Sequence, residues 1–340
     1  MNSMLGRLGD NQMIITRTPF RITLGGGGTD IPSYYEKHGG FIFSAGLDKY
    51  MFVDSNRSVA DDLIRVKYSK SETVEHVDQL QHDIAREIFR FTGVEKNIEI
   101  SSLADIPAGT GLGSSSCYAV GLLHAIHAMK RDYVSLAQLA EEDFHIEFNI
   151  LKRPIGKQDP YLAAFGGLTV LEIDKDGAVK VRKANVSYEV ADELNKNLLI
   201  FFTGKTRSAD EILREQEKGA KEGKASVVDS MHYIKELGYQ ILDAAESGNI
   251  DEVGRKFHEH WQYKKKISSK MSNPEFDRIY DAALVNGALG GKISGAGGGG
   301  FFTFYVPGNQ KTFREKMREY GLREMRYRFD FEGTKVLADF

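Results

Sequence analysis

Only one cysteine, Cys117, stands in the 340 residues of this chain. No intrachain disulfide can form, and a lone thiol suits a reducing compartment, so a cytoplasmic protein is expected. Long apolar runs are also missing. No stretch approaches the roughly 18 uninterrupted apolar residues of a membrane span, and the N-terminus lacks the basic-then-apolar pattern of a secretory signal. Charge of one sign is scarce. With 45 Lys and Arg against 48 Asp and Glu, the formal net charge is -3 and the pI about 6.3, which leaves no electrostatic footprint for nucleic acid. A local basic pocket for a phosphorylated small molecule stays open. No repeat or low-complexity tract appears beyond three glycine clusters.

What is present is enough for a globular protein of two domains sharing a cleft, because 340 residues exceed one ordinary core. Hydrophobic residues at 41% and charged residues at 27% argue against disorder and against a fibrous class. Residues 1–12 read as an unstructured leader. The first half alternates strand-like runs (Met13 to Arg17, Tyr50 to Ser55, Ile64 to Tyr68, Asn97 to Ser101) with helical windows near 78–92, 115–129 and 136–151. Leu168 to Ile173 and Val179 to Lys183 read as strands, and the polar stretch 184–194 as a connector, so the expected domains are 13–190 and 191–340. After the apolar run Leu198 to Thr203 come helical windows near 207–219, 225–247, 250–266 and 274–286. Strands at Phe301 to Val306 and Arg326 to Phe331 bracket a last helical window at 310–319, an α+β pattern.

The glycine clusters are Leu24 to Asp30, Pro107-Ala-Gly-Thr-Gly-Leu-Gly-Ser-Ser-Ser116 and Gly290 to Gly300. Four successive glycines occur twice. Each glycine weakens regular structure by roughly 0.5–1 kcal/mol relative to alanine, so a folded chain needs a backbone reason to keep them, and close approach to a ligand is one. The middle cluster lies between a strand and an apolar helical window. Glycines there let the backbone approach an anion, and the first N–H groups of the helix with its dipole hold phosphate. The serines could cap the helix, bind phosphate oxygens or give a hydroxyl to Mg2+; an ordinary capped turn is the plain alternative. It is not a Walker A loop, since Gly204-Lys-Thr206 carries only the tail of that pattern. Gly295 to Gly300 satisfies a dinucleotide-binding glycine pattern but leads into a strand, so a Rossmann assignment fails.

Taken together, Pro19-Phe-Arg-Ile-Thr-Leu-Gly-Gly-Gly-Gly-Thr-Asp30, Pro107 to Ser116 and Lys292-Ile-Ser-Gly-Ala-Gly-Gly-Gly-Gly300 resemble motifs one, two and three of the GHMP kinases, in family order and spacing across nearly the whole chain. Thr18-Pro-Phe-Arg with four glycines and Thr-Asp is most similar to the sugar-phosphate branch, the D-glycero-D-manno-heptose 7-phosphate kinases. It departs from the motifs of galactokinase. The resemblance implies an α+β two-domain fold, with an N-terminal ribosomal-protein-S5-domain-2-like domain and a C-terminal ferredoxin-like domain. It also implies ATP- and Mg2+-dependent phosphorylation of a small-molecule sugar phosphate, towards heptose nucleotide and surface polysaccharide. Other sugar kinases of the fucose or galactose type, or a catalytically silent ligand sensor, are the alternatives. Monomer and homodimer both stay open.

Site roles follow from the same resemblance. Asp159, ending Pro154-Ile-Gly-Lys-Gln-Asp159, is the expected general base, with a helix N-cap as its structural alternative. Arg21 is the cation beside it and the transferred phosphoryl group. Nucleotide phosphates are assigned to Pro107, Gly109, Gly111, Leu112, Gly113, Ser114, Ser115 and Ser116. Gly27, Thr29, Asp30, Gly297 and Gly298 are assigned to substrate, Asp30 with a helix N-cap as its other reading. Ser115 and Glu147 are the expected metal ligands, with Glu141 and Glu142 as fallbacks. For a substrate phosphate, Arg207 is preferred to the run Lys264 to Lys266, since a planar fork suits phosphate. His258 and His260, two apart, point to different sides of a helix and do not make a metal pair.

Overall fold

The computed structural model describes residues 13–206, 210–268, 270–295 and 297–340. The leader at 1–12 and Arg207 lie outside the described residues. In the first half, strands β1 (Ile14–Gly25), β2 (Gly40–Asn56), β3 (Ile64–Lys67), β4 (Ser71–Val74), β5 (Ile98–Ala104), β6 (Leu168–Ile173) and β7 (Val179–Lys183) share one sheet. Helices α1 (Pro32–His38), α2 (Asp83–Thr92), α3 (Ser114–Met129), α4 (Leu136–Phe144) and α5 (Gln158–Phe165) accompany it. The seventeen residues of β2 organise this sheet: its start pairs with β6, its end with β5, and β1 runs antiparallel along most of its length. Helix α3 is apolar almost all round, because it lies buried between the sheet and its neighbouring helices.

The second half contains α6 (Tyr188–Asn197), β8 (Leu198–Phe202), α7 (Asp210–Lys221), α8 (Ala225–Glu246), α9 (Ile250–Ile267), α10 (Pro274–Val285), β9 (Gly290–Ile293), β10 (Phe301–Tyr305), α11 (Gln310–Glu319) and β11 (Arg323–Met325). A four-stranded antiparallel sheet in the order β11-β8-β10-β9 packs Phe201, Phe302 and Phe304 against Trp261, Tyr280 and Phe313. The result is the expected α+β architecture. A smaller apolar cluster joins Ile31 and Tyr34 to Ile212, Met231, Ile267 and Met271, fastening α1 to the helices of the second half.

Several elements depart from the expectations. The stretch 184–194 holds most of α6, started by the Ser187 hydroxyl capping the Val190 N–H; the cap overrides the polar composition. Strand β9 lies inside the third glycine cluster. The helical window 136–151 is α4 followed by a wider, π-type turn at His145–Ile150. Strands β12 (Phe329–Asp330) and β13 (Lys335–Asp339) pair with β2 and β1, so the end of the chain, expected in the span 191–340, returns to the first sheet. The exposed β1 edge supplies the unpaired backbone groups that draw it there.

Candidate active site

The middle glycine cluster leaves β5 and ends at the start of α3, as a phosphate loop requires. Gly113 occupies the position before the helix at φ 85, so the Ser114, Ser115 and Ser116 amides begin α3 without intrahelical acceptors. Ser114 and Ser115 are half-buried and line a cavity of about 720 Å³ with Pro107, Tyr68, His82 and Arg153. That volume suits a small-molecule site. Gly109 is exposed, and Leu112 is buried in the core while its carbonyl accepts from the Arg21 N–H at 3.2 Å.

The third cluster braces the second by backbone-to-backbone contact. A Cβ on Gly295 would stand 2.6 Å from Gly111 Cα, and one on Gly111 would stand 2.7 Å from the Ser294 carbonyl oxygen. Both residues have positive φ, so only glycine fits twice over. This contact is a backbone reason for glycine at both positions. Of Gly297 and Gly298, expected against substrate, Gly297 packs on Met271, whose carbonyl accepts from the Gly298 N–H at 2.9 Å.

Arg21 projects from β1 and is 3% exposed. Its Nε donates to Asp159 Oδ1 at 2.7 Å, Nη2 lies 2.5 Å from the same oxygen, and Nη1 donates to the Gly111 carbonyl at 2.8 Å. One guanidinium therefore ties the carboxylate to the phosphate loop. Asp159 sits in the first turn of α5, whose N-cap is Lys157 with no side-chain cap bond, so its side chain is committed to Arg21 rather than to capping. Lys157 turns away to bind both oxygens of Glu141, at 2.7 and 2.5 Å, and Tyr161 donates to the same carboxylate.

Asp30 is 4% exposed, and its two carboxylate oxygens accept from the Gly28 and Gln158 N–H groups at 3.1 and 3.0 Å. It does not cap α1, whose N-cap is Ile31. Burial raises the Asp30 pKa, the two backbone donors opposing the shift. Its contact with Gln158 instead locks motif one to the turn that carries Asp159. A Cβ on Gly156 would collide with the Asp30 carboxylate, which is why the turn uses glycine there. Thr29 is fully buried, its hydroxyl shared between the Gly26 and Phe41 carbonyl oxygens, 2.9 Å from each, and accepting from the Phe41 N–H at 3.1 Å, which leaves it no face for a substrate.

A second cavity, about 100 Å³, has Gly111 in its wall. Gly27, Asp30, Asp159 and Arg21 line it from the first half of the chain, and His260, Lys264 and Lys292 from the second. Thr23 orients Gln158 within it through a 2.6 Å hydrogen bond. Helix α7 roofs it with Leu213 and Gln216, the latter donating to the Gly28 carbonyl at 3.0 Å. Burial pushes Lys264 down to about 7, with Arg21 adding to the effect; burial and then the Lys264 charge push Lys292 well down.

Glu147 falls in the π-type turn after α4 and is fully buried. It accepts from the Ser116 hydroxyl at 3.1 Å and from Arg153 Nη1 at 2.9 Å. Burial raises its pKa, opposed first by Arg153 and, more weakly, by the Ser116 and Ser115 hydroxyls. Asp143, one helical turn earlier, is also fully buried, and neither of its oxygens has a hydrogen-bond partner among the described residues. The fallback acids are otherwise engaged: Glu141 as above, Glu142 with His127 and Gln138 at 2.8 Å each.

Sequence reasoning did not single out Asp143, Gln158, Thr23, His260 or Gln216 for the site. A signal existed for the second-half bases. Phe257, His260, Trp261, Lys264 and Ile267 form one helical stripe of α9, and basic residues on an otherwise apolar stripe are unusual. Of the lysine run, only Lys264 reaches the cavity; Lys265 pairs with Asp277, and Lys266 lies over Tyr263. His258 turns to Tyr280, away from His260. Among the described residues no group of three or more His, Cys, Asp or Glu gathers as a metal cluster, and no helix is long and apolar enough to cross a membrane.

Residues 76–167 match the family model for the GHMP kinases N terminal domain, and residues 241–322 match that for the GHMP kinases C terminal domain. The D-glycero-alpha-D-manno-heptose 7-phosphate kinase of Campylobacter jejuni is 31% identical over 333 residues, covering 95% of this chain and 97% of that protein. Among solved structures, a D-glycero-D-manno-heptose 1-phosphate kinase from Bacteroides thetaiotaomicron superposes with a TM-score of 0.81 at 24% identity, over 96% of this chain and 99% of that one. The Lactococcus lactis galactokinase, solved with galactose, gives 0.76 at 16% identity over 98% and 97% of the two chains.

Proposed function

This chain belongs to the GHMP kinase family and is a small-molecule kinase, and we propose that it phosphorylates D-glycero-D-manno-heptose 7-phosphate at its anomeric hydroxyl, with ATP as donor, in the cytoplasm. The carrying observation is the Arg21–Asp159 ion pair, set between the phosphate loop and a second cavity. Phosphoryl transfer asks for two oxygens in line and for cations where charge spreads over the transferred group. The amides that open α3 supply fixed donors for the nucleotide phosphates. Asp159 accepts the proton of an acceptor hydroxyl held in the second cavity, while Arg21, anchored on Gly111, keeps the carboxylate aimed and offers its charge to the moving phosphoryl group. Asp30 and Gln158 fix the turn on which Asp159 sits.

The residues present fit Mg2+. It prefers hard oxygen ligands, takes one or two carboxylates and completes its shell with phosphates and water. Glu147 beside Ser115 and Ser116 offers such oxygens, and the unpartnered carboxylate of Asp143 adds another. Ser115 and Glu147 would hold the ion, which neutralises charge on the nucleotide phosphates when bound.

The test is an ADP-release assay with galactose, fucose, mevalonate and heptose 7-phosphate as acceptors. Heptose 7-phosphate is expected to give the highest kcat/KM. Selective turnover of an unphosphorylated sugar would overturn the assignment.

A further inference from the structure

Three bases in the second cavity have no counter-charge among the described residues. Its lining contains Arg21, His260, Lys264 and Lys292 against the acids Asp30 and Asp159. Asp159 is matched by Arg21, and both Asp30 oxygens accept from backbone N–H groups. Among the described residues neither lysine bonds a carboxylate. Lys264 Nζ donates to the carbonyls of Ile293 and Gly295, and Lys292 Nζ donates to the Leu24 carbonyl at 2.6 Å while lying over the Phe257 ring. An ammonium has three donors, so one on Lys264 and two on Lys292 remain to be used. Both ring nitrogens of His260, 1% exposed, lack a partner among the described residues.

Buried cations stay charged only beside an anion, and buried polar nitrogens normally find partners. His260 and Lys264, four residues apart on α9, stack on one face, and Lys292 reaches the same space from β9. The nucleotide phosphates do not explain this arrangement, because none of the three bases lines the larger cavity that Ser114 and Ser115 share.

We propose that His260, Lys264 and Lys292 form a second phosphate subsite, on the acceptor side of the Arg21–Asp159 pair, that binds a phosphate monoester carried by the acceptor before transfer. The subsite deepens the sugar-phosphate reading above and rests on it. It selects phosphorylated over free sugars: a free sugar brings hydroxyls but no anion, so it leaves the bases uncompensated.

The experiment compares kcat/KM for heptose 7-phosphate and for the free heptose, in the wild type and in Lys264→Met. Truncating one partner of a buried charged contact typically weakens binding by about 100-fold, so the preference for the phosphorylated acceptor should fall by that order, mostly through KM. Binding of a fluorescent nucleotide analogue reports that the variant is folded. An equal fall on both acceptors overturns the subsite and leaves Lys264 as a brace for motif three. Should Lys264→Met fail to fold, His260→Gln serves, because the ring it removes has no partner to strand; about a tenfold loss of preference is expected, and no loss counts against the proposal. Inorganic phosphate separates this idea from the substrate assignment. If the wild type prefers a free sugar, the heptose 7-phosphate reading fails, yet phosphate competing with that sugar, and ceasing to compete in Lys264→Met, would keep the subsite. Absence of competition in the wild type overturns it.

Discussion

Replacing Asp143 by Asn should make the metal-free protein more stable and bind Mg2+ less well. The native carboxyl is fully buried, has no hydrogen-bond partner among the described residues, and faces Glu147 one turn along. Burial first, and then the Glu147 charge, raise the Asp143 pKa well above the carboxylate range. An unfolded aspartate titrates near 3.9. Between that pH and the raised native value the folded state binds the extra proton, so unfolding free energy falls as pH rises, by up to about 1.4 kcal/mol per pH unit. Asparagine does not titrate and escapes this loss. The amide is still polar and buried, so the gain is only the ionic part, about 1–3 kcal/mol by pH 8, and close to nothing near pH 4. Urea denaturation in chelator at pH 4, 6 and 8 measures it, the midpoints of wild type and variant diverging as pH rises. With Mg2+ and ATP, the variant should need roughly ten times more Mg2+ for half-maximal rate, as outer ligands commonly tune metal affinity. A variant less stable than the wild type at pH 8 in chelator would refute the reasoning, since native Asp143 would then be a stabilising, well-partnered anion.

Asp159→Asn should lower kcat by about 10²- to 10⁴-fold, as loss of a general base does, with nucleotide binding retained because Arg21 keeps its bond to Gly111; near wild-type turnover would reduce Asp159 to a positioning role. Gly295→Ala places a Cβ 2.6 Å from Gly111 Cα at φ 64, so roughly 2–3 kcal/mol of left-handed strain and overlap should appear as weaker nucleotide binding or lower stability in calorimetry. Lys264, pushed down to about 7 and near 10.4 when unfolded, binds fewer protons folded than unfolded across that window. Its contribution to stability is therefore present above the unfolded value and lost as pH falls through 7. Without anion, the wild type should thus gain stability over Lys264→Met between pH 7 and 10, and a difference independent of pH would contradict this. The cavity of about 100 Å³ is small for a sugar phosphate and α7 contributes Leu213 and Gln216 to its wall, so acceptor entry is predicted to require α7 to lift. Gln216→Ala removes a roof hydrogen bond of about 1 kcal/mol, and stopped-flow acceptor binding should speed up to about fivefold. An unchanged rate would place the opening elsewhere.

The strand, glycine loop and helix around Gly109 to Ser116 were readable because each follows local rules: a β-rich run, residues free to take positive φ, and an apolar window opened by serines. Helices α8 to α11 were readable from their period. Strands β12 and β13 were not, since their pairing with β2 and β1 depends on which edges the first sheet leaves open. Thr29 matched a motif, yet proved committed to backbone carbonyls, a distinction that motif matching cannot make.

The sequence by itself determined two α+β domains, the three glycine motifs, and the pairing of an aspartate at 159 with an arginine at 21 as chemical candidates. The element periods and glycine clusters rest on residue type and spacing, which are local properties, while the roles of Asp159 and Arg21 came from the resemblance to the family's motifs. Only the tertiary structure decided that Gly111 and Gly295 touch, that Arg21 bridges Asp159 to the glycine loop at Gly111, and that Lys264, rather than its two neighbours, enters the cavity beside Asp159. Burial and charge compensation are sums over segments far apart in the chain. A lysine on a helix has the same letters on either face, and the packing of α9 against β9 buried one of them, Lys264, with no carboxylate partner among the described residues.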